Sequence, residues 1–482
     1  MNKNTIGFKI GVAIAAIHLC LVMFAFFAAL HSKSSTSGLV YVWFYFLDAP
    51  ILLLLPFSVN LFGKIAPLIQ FGVFGSAMWF MIPWLIDKVV TRVFPNGTRT
   101  VRGIIISGAI PLLLVGFVCL SGVSTKLIIQ RERPAELKTM LNSASSDFLT
   151  GKVIFEADAL SGISSINRMN CRAGADMELL LALPREVVFL NESYQEKRRL
   201  DFSGQVFKTI DPLDMDGTHS CKFIAYKFQE GVYLFDSKGK EIWNYTQHDK
   251  ITGTIDGVRF GDIDGDGKQE FAIYYRYGQG IHLVDSDGKM RWKHPVLALG
   301  HLEMADVRGN GMAEIIYSNS NNAFGTTDFT ILDADGTVAN QHKIATKSYE
   351  FAVIRWPNAE AKPNLLLTEE RKIRIVDLKG ETVMQLDAPG CRPFGDVKAV
   401  TVKFKKEEPE YLAVKKSLHP DLSVLYVYDA NGKFVYQKTD VIDLVLAPTL
   451  AAVPANESGV EKLLVGSKQK NKAQVLEYSL TH

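Results

Sequence analysis

A short pattern recurs along this chain: an alternating apolar strand, an aspartate, two residues, a glycine and a second strand. It appears in VYLFDSKGKEIW, IHLVDSDGKMRW, FTILDADGTV, IRIVDLKGET and LYVYDANGKF. In such a turn the Asp side chain bonds to its own backbone and Gly takes a positive φ. The pattern predicts a tight turn between two strands, used repeatedly. The turn aspartates are Asp236, Asp285, Asp333, Asp377 and Asp429.

The pattern continues more weakly on both sides. VVFLNESYQ places Asn191 in register before the first turn, and AQVLEYSL places Glu477 in register after the last. Seven units of about 48 residues, each with four strands, predict a β-propeller of seven blades. An open or six-bladed arrangement is the alternative. KVIFEADAL, at 152–160, is one strand too many for the first unit. We expect it to complete the last blade and close the ring.

The first 125 residues differ from the rest because they are almost entirely apolar. Four runs contain no Lys, Arg or Glu, and a helix needs roughly 20 such residues to span a bilayer. The sequence therefore predicts an α-helical transmembrane domain of four helices over 1–125, a linker over 126–150 with a short helix, and an all-β propeller over 151–482. The partner of the first part would be the lipid bilayer. The runs are Ile10–Leu30, Leu39–Phe62, Ile65–Ile86 and Gly103–Val123.

Two polar residues lie inside the predicted spans, His18 in the first and Asp48 in the second. An acid within a membrane is a functional candidate by default. The alternative is a buried structural pair, or an aspartate that caps a helix break at Pro50.

The acidic stretch DIDGDGKQE, at 262–270, has the composition of a calcium loop. Calcium takes six to eight oxygen ligands. Carboxylates at Asp262, Asp264 and Asp266, the carbonyl of Lys268 and the carboxylate of Glu270 would supply them. A metal-free acidic turn is the alternative.

Two other repeats carry a loop at a similar offset. DMDGTHSCK keeps Asp214 and Asp216 but loses the later acids, so we expect a doubtful site. DVRGNGMAE keeps Asp306, Asn310 and Glu314, with an arginine at the third position of the loop. That guanidinium can replace the cation with an internal ion pair, so we expect no metal there.

The stretch FGDIDGDGKQEFAI resembles the FG-GAP/VCBS repeat of integrin α-subunit propellers and bacterial surface proteins. The resemblance implies calcium in some loops between the first two strands of a blade. It also implies adhesion or partner binding rather than catalysis. DSKGKEIW and DSDGKMRW are also similar to pyrroloquinoline-quinone-like propeller repeats. Their Trp243 and Trp292 would dock between blades, or simply pack between sheets.

The sequence thus predicts a membrane-anchored, calcium-stabilised propeller that serves as a non-enzymatic scaffold for a protein or glycan. A multi-pass membrane protein with its propeller outside the cytoplasm fits this function, because weak calcium loops work at extracellular concentrations. A quinone-dependent enzyme and a transporter subunit are the alternatives. A net charge of +2 gives no reason to expect nucleic acid. Cys171, Cys221 and Cys391 allow at most one disulfide in the propeller.

Overall fold

The computed structural model contains two compact units, Met1–Arg133 and Pro134–His482. The described residues are 9–20 except 11 and 19, 76–93, and 145–481 apart from short internal gaps. The gaps are 159–161, 172–176, 203, 216–220, 228–229, 247–254, 276–277, 320–325, 358–361, 419–421, 442–448, 456–458 and 470–471.

In the N-terminal unit, helix α1 covers Ser76–Val93, and further helical residues lie between 9 and 20. The C-terminal half of α1 carries Asp87, Lys88 and Arg92. Among the described residues, no helix combines the length and the apolar character needed to cross a membrane. The predicted four-helix transmembrane domain is therefore wrong for the helices that the structure describes. The same finding contradicts the predicted localisation as a multi-pass membrane protein with an outer propeller.

The prediction failed because an apolar run does not fix the bounds of a helix. The third run ends at Ile86, whereas α1 continues through charged residues to Val93. The second and fourth runs, Asp48 and the linker helix lie outside the described residues. His18 is buried, and its Nδ1 lies 3.1 Å from the Oγ of Ser76.

The second unit is a ring of seven four-stranded antiparallel sheets, so the prediction of seven blades is confirmed. In blades 1 to 6 the four strands pair in chain order. Blade 1 consists of β2 (Ser165–Met169), β3 (Glu178–Ala182), β4 (Glu186–Leu190) and β5 (Glu196–Asp201). Blade 2 consists of β6 (Thr209–Asp214), β7 (Cys221–Lys227), β8 (Gly231–Phe235) and β9 (Glu241–Thr246). Blade 3 consists of β10 (Ile255–Gly261), β11 (Glu270–Tyr275), β12 (Ile281–Val284) and β13 (Met290–His294).

Blades 4 to 6 repeat this order. Blade 4 consists of β14 (Leu299–Ala305), β15 (Glu314–Asn319), β16 (Thr327–Leu332) and β17 (Val338–Ile344). Blade 5 consists of β18 (Phe351–Ile354), β19 (Asn364–Glu369), β20 (Lys372–Val376) and β21 (Thr382–Asp387). Blade 6 consists of β22 (Val397–Val402), β23 (Tyr411–Leu418), β24 (Leu422–Tyr428) and β25 (Phe434–Val441).

Blade 7 is built from both ends of the propeller segment. Its inner three strands are β26 (Leu450–Pro454), β27 (Glu461–Gln469) and β28 (Lys472–Leu480). Its outer strand is β1 (Leu149–Asp158), which pairs antiparallel with β28. The expected closure by residues near 152–160 is therefore confirmed, and the ring leaves no gap between its first and last blades.

The predicted Asp-x-x-Gly turns join the third and fourth strands of blades 2 to 6. Oδ1 of Asp236 accepts hydrogen bonds of 2.9 Å from the backbone N–H groups two and four residues on, and Gly239 has a φ of 80°. The first blade makes the same turn at Asn191, with Tyr194 at a φ of 60° in place of glycine. The turn predicted at Glu477 does not form. Glu477 lies within β28, whose outer neighbour β1 comes from the other end of the domain.

The hydrophobic core consists of clusters that each lie between two neighbouring blades. The tryptophans reinforce these contacts. Nε1 of Trp243 donates to the carbonyl of Ser286 in the next blade at 3.0 Å, and a Cβ added at Gly288 would lie 2.8 Å from the indole ring. Trp292 makes the same bond to Ala334 at 2.8 Å. Packing between blades therefore explains both tryptophans.

Candidate functional site

The two ends of the blades carry different connections. Because neighbouring strands run antiparallel, the loop from strand 1 to strand 2 and the turn from strand 3 to strand 4 lie at one end, which we call the turn face. The turns from strand 2 to strand 3 and the connections between blades lie at the other end, which we call the crossover face. The loops 262–270 and 306–314 follow the first strands of blades 3 and 4, so both belong to the turn face.

In the loop 262–270, three of the predicted ligands converge. One carboxylate oxygen each from Asp262, Asp264 and Glu270 lies within 4.8 Å of the other two. Within the described part of the chain, no other trio of His, Cys, Asp or Glu side chains meets in this way. Asp262 also shapes the loop, because its carboxylate accepts hydrogen bonds from the N–H groups of Gly265 (2.7 Å) and Gly267 (2.9 Å). Both glycines have a positive φ, which L side chains rarely adopt.

Asp266 and Lys268, also predicted as ligands, are engaged with each other. Oδ1 of Asp266 accepts a 2.8 Å hydrogen bond from the N–H of Lys268, and its Oδ2 lies 3.3 Å from Nζ of Lys268. The backbone hydrogen bond is the main reason that the pKa of Asp266 lies below its ordinary value. The carboxylate of Asp266 is therefore directed along the loop rather than towards the other three.

Glu270 is the buried member of the group, with only 1% of its surface exposed. Its Oε2 accepts a 3.1 Å hydrogen bond from the N–H of Ile263. Its Oε1 lies 3.3 Å from Nη2 of Arg291, and Nη1 of Arg291 donates to Oδ2 of Asp264 at 2.6 Å. Burial raises the pKa of Glu270, although Ile263 and Arg291 oppose this effect. A guanidinium thus supplies the counter-charge of the loop.

Sequence reasoning missed Arg291, which lies in the outer strand β13 and outside the acidic motif. A β-bulge explains how it reaches the loop. Val284 pairs with Met290 and Leu283 pairs with Trp292, so Arg291 is the extra residue between two paired positions. Bulges redirect a side chain out of the regular strand alternation. The sequence offers only a single arginine after a turn as a signal, and the register shift cannot be read from it.

The loop 306–314 has the same backbone arrangement. The carboxylate of Asp306 accepts hydrogen bonds from the N–H groups of Gly309 (2.6 Å) and Gly311 (3.0 Å). Burial alone would raise the pKa of Asp306, but these bonds outweigh it and lower the pKa. Glu314 is buried, and its Oε2 accepts a 3.0 Å hydrogen bond from the N–H of Val307. Asp306 and Glu314 therefore correspond to the first and last acids of the loop 262–270.

The third position of this loop is Arg308. Its Nε lies 3.6 Å from Oε1 of Glu314, and its Nη2 donates to Oδ1 of the turn residue Asp333 at 2.6 Å. Asn310 accepts a hydrogen bond from the N–H of Met312 with its side-chain oxygen. The internal ion pair expected from the sequence is present, and Asp333 extends it to the neighbouring turn.

The corresponding loop of blade 2 is only partly described. Asp214 ends β6 opposite Cys221, and Asp216 lies outside the described residues. Cys221 forms a disulfide with Cys171, which links blade 2 to blade 1. Cys391 is buried and remains a thiol. The second predicted calcium loop thus lies beside a covalent link between blades.

The oxygens of the loop 262–270 can be compared with the ligands that calcium requires. Oxygens at about 2.3–2.6 Å from one ion lie at most about 5 Å apart, which matches the convergence of Asp262, Asp264 and Glu270. The spacing of these three carboxylates is compatible with calcium, of whose six to eight oxygens they would supply three. Arg291 already contacts two of them, so calcium would compete with its guanidinium.

A second charged cluster, which the sequence did not predict, involves the inner strands of blades 3 and 4. Arg259 binds both carboxylate oxygens of Glu303, at 2.9 and 3.3 Å. His301 lies 2.9 Å from Glu303 and 2.8 Å from Glu350. Burial would lower the pKa of His301, but the two glutamates raise it to about 9. These ion pairs connect the inner strands β10 and β14 with the connection that precedes β18.

No protein-family model and no curated protein matches this sequence. Solved structures do resemble its fold. BBS1N in complex with ARL6DN, in crystals soaked with lead, gives a TM-score of 0.46 at 12% identity over 69% of this chain and 97% of that chain. The Pan2 WD40 domain of Neurospora crassa gives 0.39 at 13% over 69% and 96%. BamB from Moraxella catarrhalis gives 0.36 at 11% over 66% and 86%. At such identities and scores, the similarities say nothing about function.

Proposed function

We propose that this protein is a non-catalytic propeller scaffold that binds a protein partner on its crossover face. The supporting observation is that three blade-to-blade connections on this face each expose a large apolar side chain. Val206 is 51% exposed, Leu297 56% and Phe394 55%. They come from the connections after blades 1, 3 and 5. Contiguous apolar patches mark interaction sites, whereas single exposed apolar side chains are common on folded domains; these three share one face of the ring.

The ring gives these side chains a rigid support. Each blade shares a hydrophobic cluster with its neighbours, and β1 closes blade 7. A rigid surface binds more tightly, because little conformational freedom is lost when a partner docks. A scaffold that presents preformed connections fits this architecture.

The test is cross-linking of the full chain in its source cells, followed by mass spectrometry. We compare the wild type with Val206→Ser/Leu297→Ser/Phe394→Ser. The control is Ile242→Ser/Val338→Ser/Val383→Ser, which removes exposed apolar side chains from outer strands. We expect one protein to be cross-linked next to the crossover face and lost only in the first variant. Equal cross-linking in both variants, or a partner mapped to the outer strands, would contradict the proposal.

We also propose that the loop 262–270 binds calcium through Asp262, Asp264 and Glu270 and thereby stabilises the turn face. The support is the convergence of their carboxylates on one point. Extracellular-type calcium sites bind at about 10⁻⁴–10⁻³ M. An ion at about ten times its Kd would stabilise the folded state by about 1.4 kcal/mol.

Thermal unfolding of the full chain in calcium and in chelator tests this proposal. We expect calcium to raise the Tm of the wild type by a few degrees, in line with about 1.4 kcal/mol. Asp264→Asn should abolish the response. Asp287→Asn, an exposed acid in the next turn of the same blade, should retain it. An equal response in both variants, or none in the wild type, would show that the loop is an acidic turn without calcium.

A further inference from the structure

A groove of about 680 Å³ lies on the crossover face around blade 5. Its walls are the connection from blade 4, the turn between β19 and β20, and the connection to blade 6. The volume is within the range of sites that bind small ligands or side chains. The groove includes Phe394, one of the exposed apolar residues named above.

Basic side chains outnumber acidic ones along the groove. Lys347, Lys372 and Arg392 line it together with Glu369 and Glu370. Glu369 is already paired, since its carboxylate lies 2.6 Å from Nη2 of Arg374 and 3.3 Å from Nζ of Lys372. Lys372 is one of the partners of Glu369, so Lys347 and Arg392 against Glu370 give the groove an excess of one positive charge, which favours an acidic group.

The groove also has an apolar part. Phe394 is 55% exposed, and its ring centroid lies 6.3 Å from that of Tyr349. Pro393 lines the groove beside it. Covering the exposed part of this ring removes apolar surface from water, which favours binding. An occupant therefore gains most if it brings an apolar side chain as well as negative charge.

The groove walls are tied to each other by hydrogen bonds. The N–H of Arg371 donates to the carbonyl of Cys391 at 2.9 Å, and the N–H of Ala388 donates to the carbonyl of Arg371 at 3.0 Å. Nη2 of Arg374 donates to the carbonyl of Ala345 at 2.7 Å. Three separate segments are thus held in one arrangement. The groove therefore loses little conformational entropy when a ligand binds.

We infer that this groove binds an acidic segment of a protein partner, with its carboxylates near Lys347 and Arg392 and an apolar side chain against Phe394. The inference rests on the proposed scaffold function and specifies the chemistry of the partner. Charge complementarity favours an acidic peptide, because a neutral glycan would gain hydrogen bonds but no charge attraction from the basic walls.

The experiment uses the full chain and a fluorescein-labelled peptide of about ten residues, long enough to extend about 33 Å. The peptide contains glutamate, leucine and one phenylalanine, and a second peptide has lysine in place of each glutamate. Binding is measured by fluorescence anisotropy at about 50 and about 300 mM salt. We expect only the acidic peptide to bind, and more weakly in high salt, because screening shortens the reach of exposed charges.

Lys347→Glu/Arg392→Glu should weaken binding about tenfold, as two surface ion pairs of about 0.7 kcal/mol each predict. Phe394→Ser should weaken it by a similar factor. The matched control is Lys379→Glu/Lys433→Glu, which reverses two exposed charges on the turn face and should leave binding unchanged. Lys347→Glu alone serves if the double variant fails to fold, since that side chain is exposed.

Equal binding of both peptides, no binding of the acidic peptide, or equal loss in the control would overturn the inference. A glycan array that shows binding dependent on Phe394 while the acidic peptide does not bind would do the same. If cross-linking still finds a protein at the crossover face, the scaffold function stands although this groove is not its acidic-segment site. Loss of that cross-link together with intact peptide binding would instead count against the scaffold.

Discussion

The loops 262–270 and 306–314 each end in a buried glutamate, but the arginine that neutralises the glutamate comes from a different part of the blade in each case. Each glutamate accepts one backbone N–H from within the loop, at 3.1 Å for Glu270 and 3.0 Å for Glu314. Each glutamate also has an arginine nearby. In blade 3 the arginine is Arg291 of the outer strand, and in blade 4 it is Arg308 of the loop itself.

The bulge position accounts for this difference. In blade 4, Leu332 pairs with Val338 and Ile331 pairs with Asn340, so the extra residue is Ala339. Alanine cannot supply a counter-charge, and the loop arginine of blade 4 does so instead. A buried carboxylate needs a counter-charge. A blade can provide it from its outer strand, as blade 3 does, or from the loop itself, as blade 4 does. Of these two blades, only blade 3 keeps an acid at the third loop position, Asp264, and its carboxylates converge.

The largest expected effect comes from removing the counter-charge of the more buried of the two glutamates, Glu270. Arg291→Ala leaves Glu270, 1% exposed, without its guanidinium. Breaking a buried pair costs about 3–5 kcal/mol; because Arg291 is itself about one-third exposed, we expect about 2–3 kcal/mol. Arg308→Ala should cost about 1 kcal/mol, since its side chain is 47% exposed and lies farther from its glutamate. Urea unfolding of the full chain measures both.

Arg199→Ala is the control for this pair. It removes an arginine from exposed ion pairs with Glu186 and Glu196, and such pairs contribute about 0–1 kcal/mol. If Arg291→Ala destabilised the protein no more than this control, the guanidinium would not be the counter-charge of Glu270.

A smaller effect should follow from moving the arginine of blade 4 to the bulge. Arg308→Ala/Ala339→Arg reproduces the arrangement of blade 3, and we expect it to recover about half of the 1 kcal/mol lost in Arg308→Ala. Ala339→Arg alone should be nearly neutral, because the site already has a cation. The same urea unfolding curves decide the matter. No recovery in the double variant would mean that the bulge of blade 4 does not direct its residue to the loop.

Much of the propeller could be predicted from the sequence because its signals are local. An Asp-x-x-Gly turn needs a side-chain acceptor, as at Asp236, and a positive φ, as at Gly239. The residue types Asp and Gly in the sequence indicate both. The closing strand near 152–160 could be found by counting strands. Glu477 was placed in register with the turn aspartates, but it lies within β28, which continues to Leu480 and pairs with β1.

The charged contacts were harder to predict because they depend on register and distance in space. Asp262 and Asp306 were found as loop residues, but Arg291 reaches the loop only through a bulge that no letter indicates. Arg259 and Glu303 are 44 residues apart and looked like isolated charges in apolar strands. The apolar runs near the N-terminus misled for a related reason, since α1 continues beyond Ile86 through charged residues.

The last expected effect, on calcium affinity rather than on stability, concerns the exchange of guanidinium for calcium in blade 3. Nη1 of Arg291 donates to Oδ2 of Asp264 at 2.6 Å, so a calcium ion that binds this carboxylate has to displace the guanidinium. In Arg291→Ala calcium meets no competitor, so its Kd should fall about fivefold, which corresponds to about 1 kcal/mol. Titration calorimetry on the full chain measures this, with Arg308→Ala as the control that should leave the affinity unchanged. If Arg291→Ala bound calcium as the wild type does, the ion and the guanidinium would occupy different places, and the two loops would differ in more than the source of their arginine.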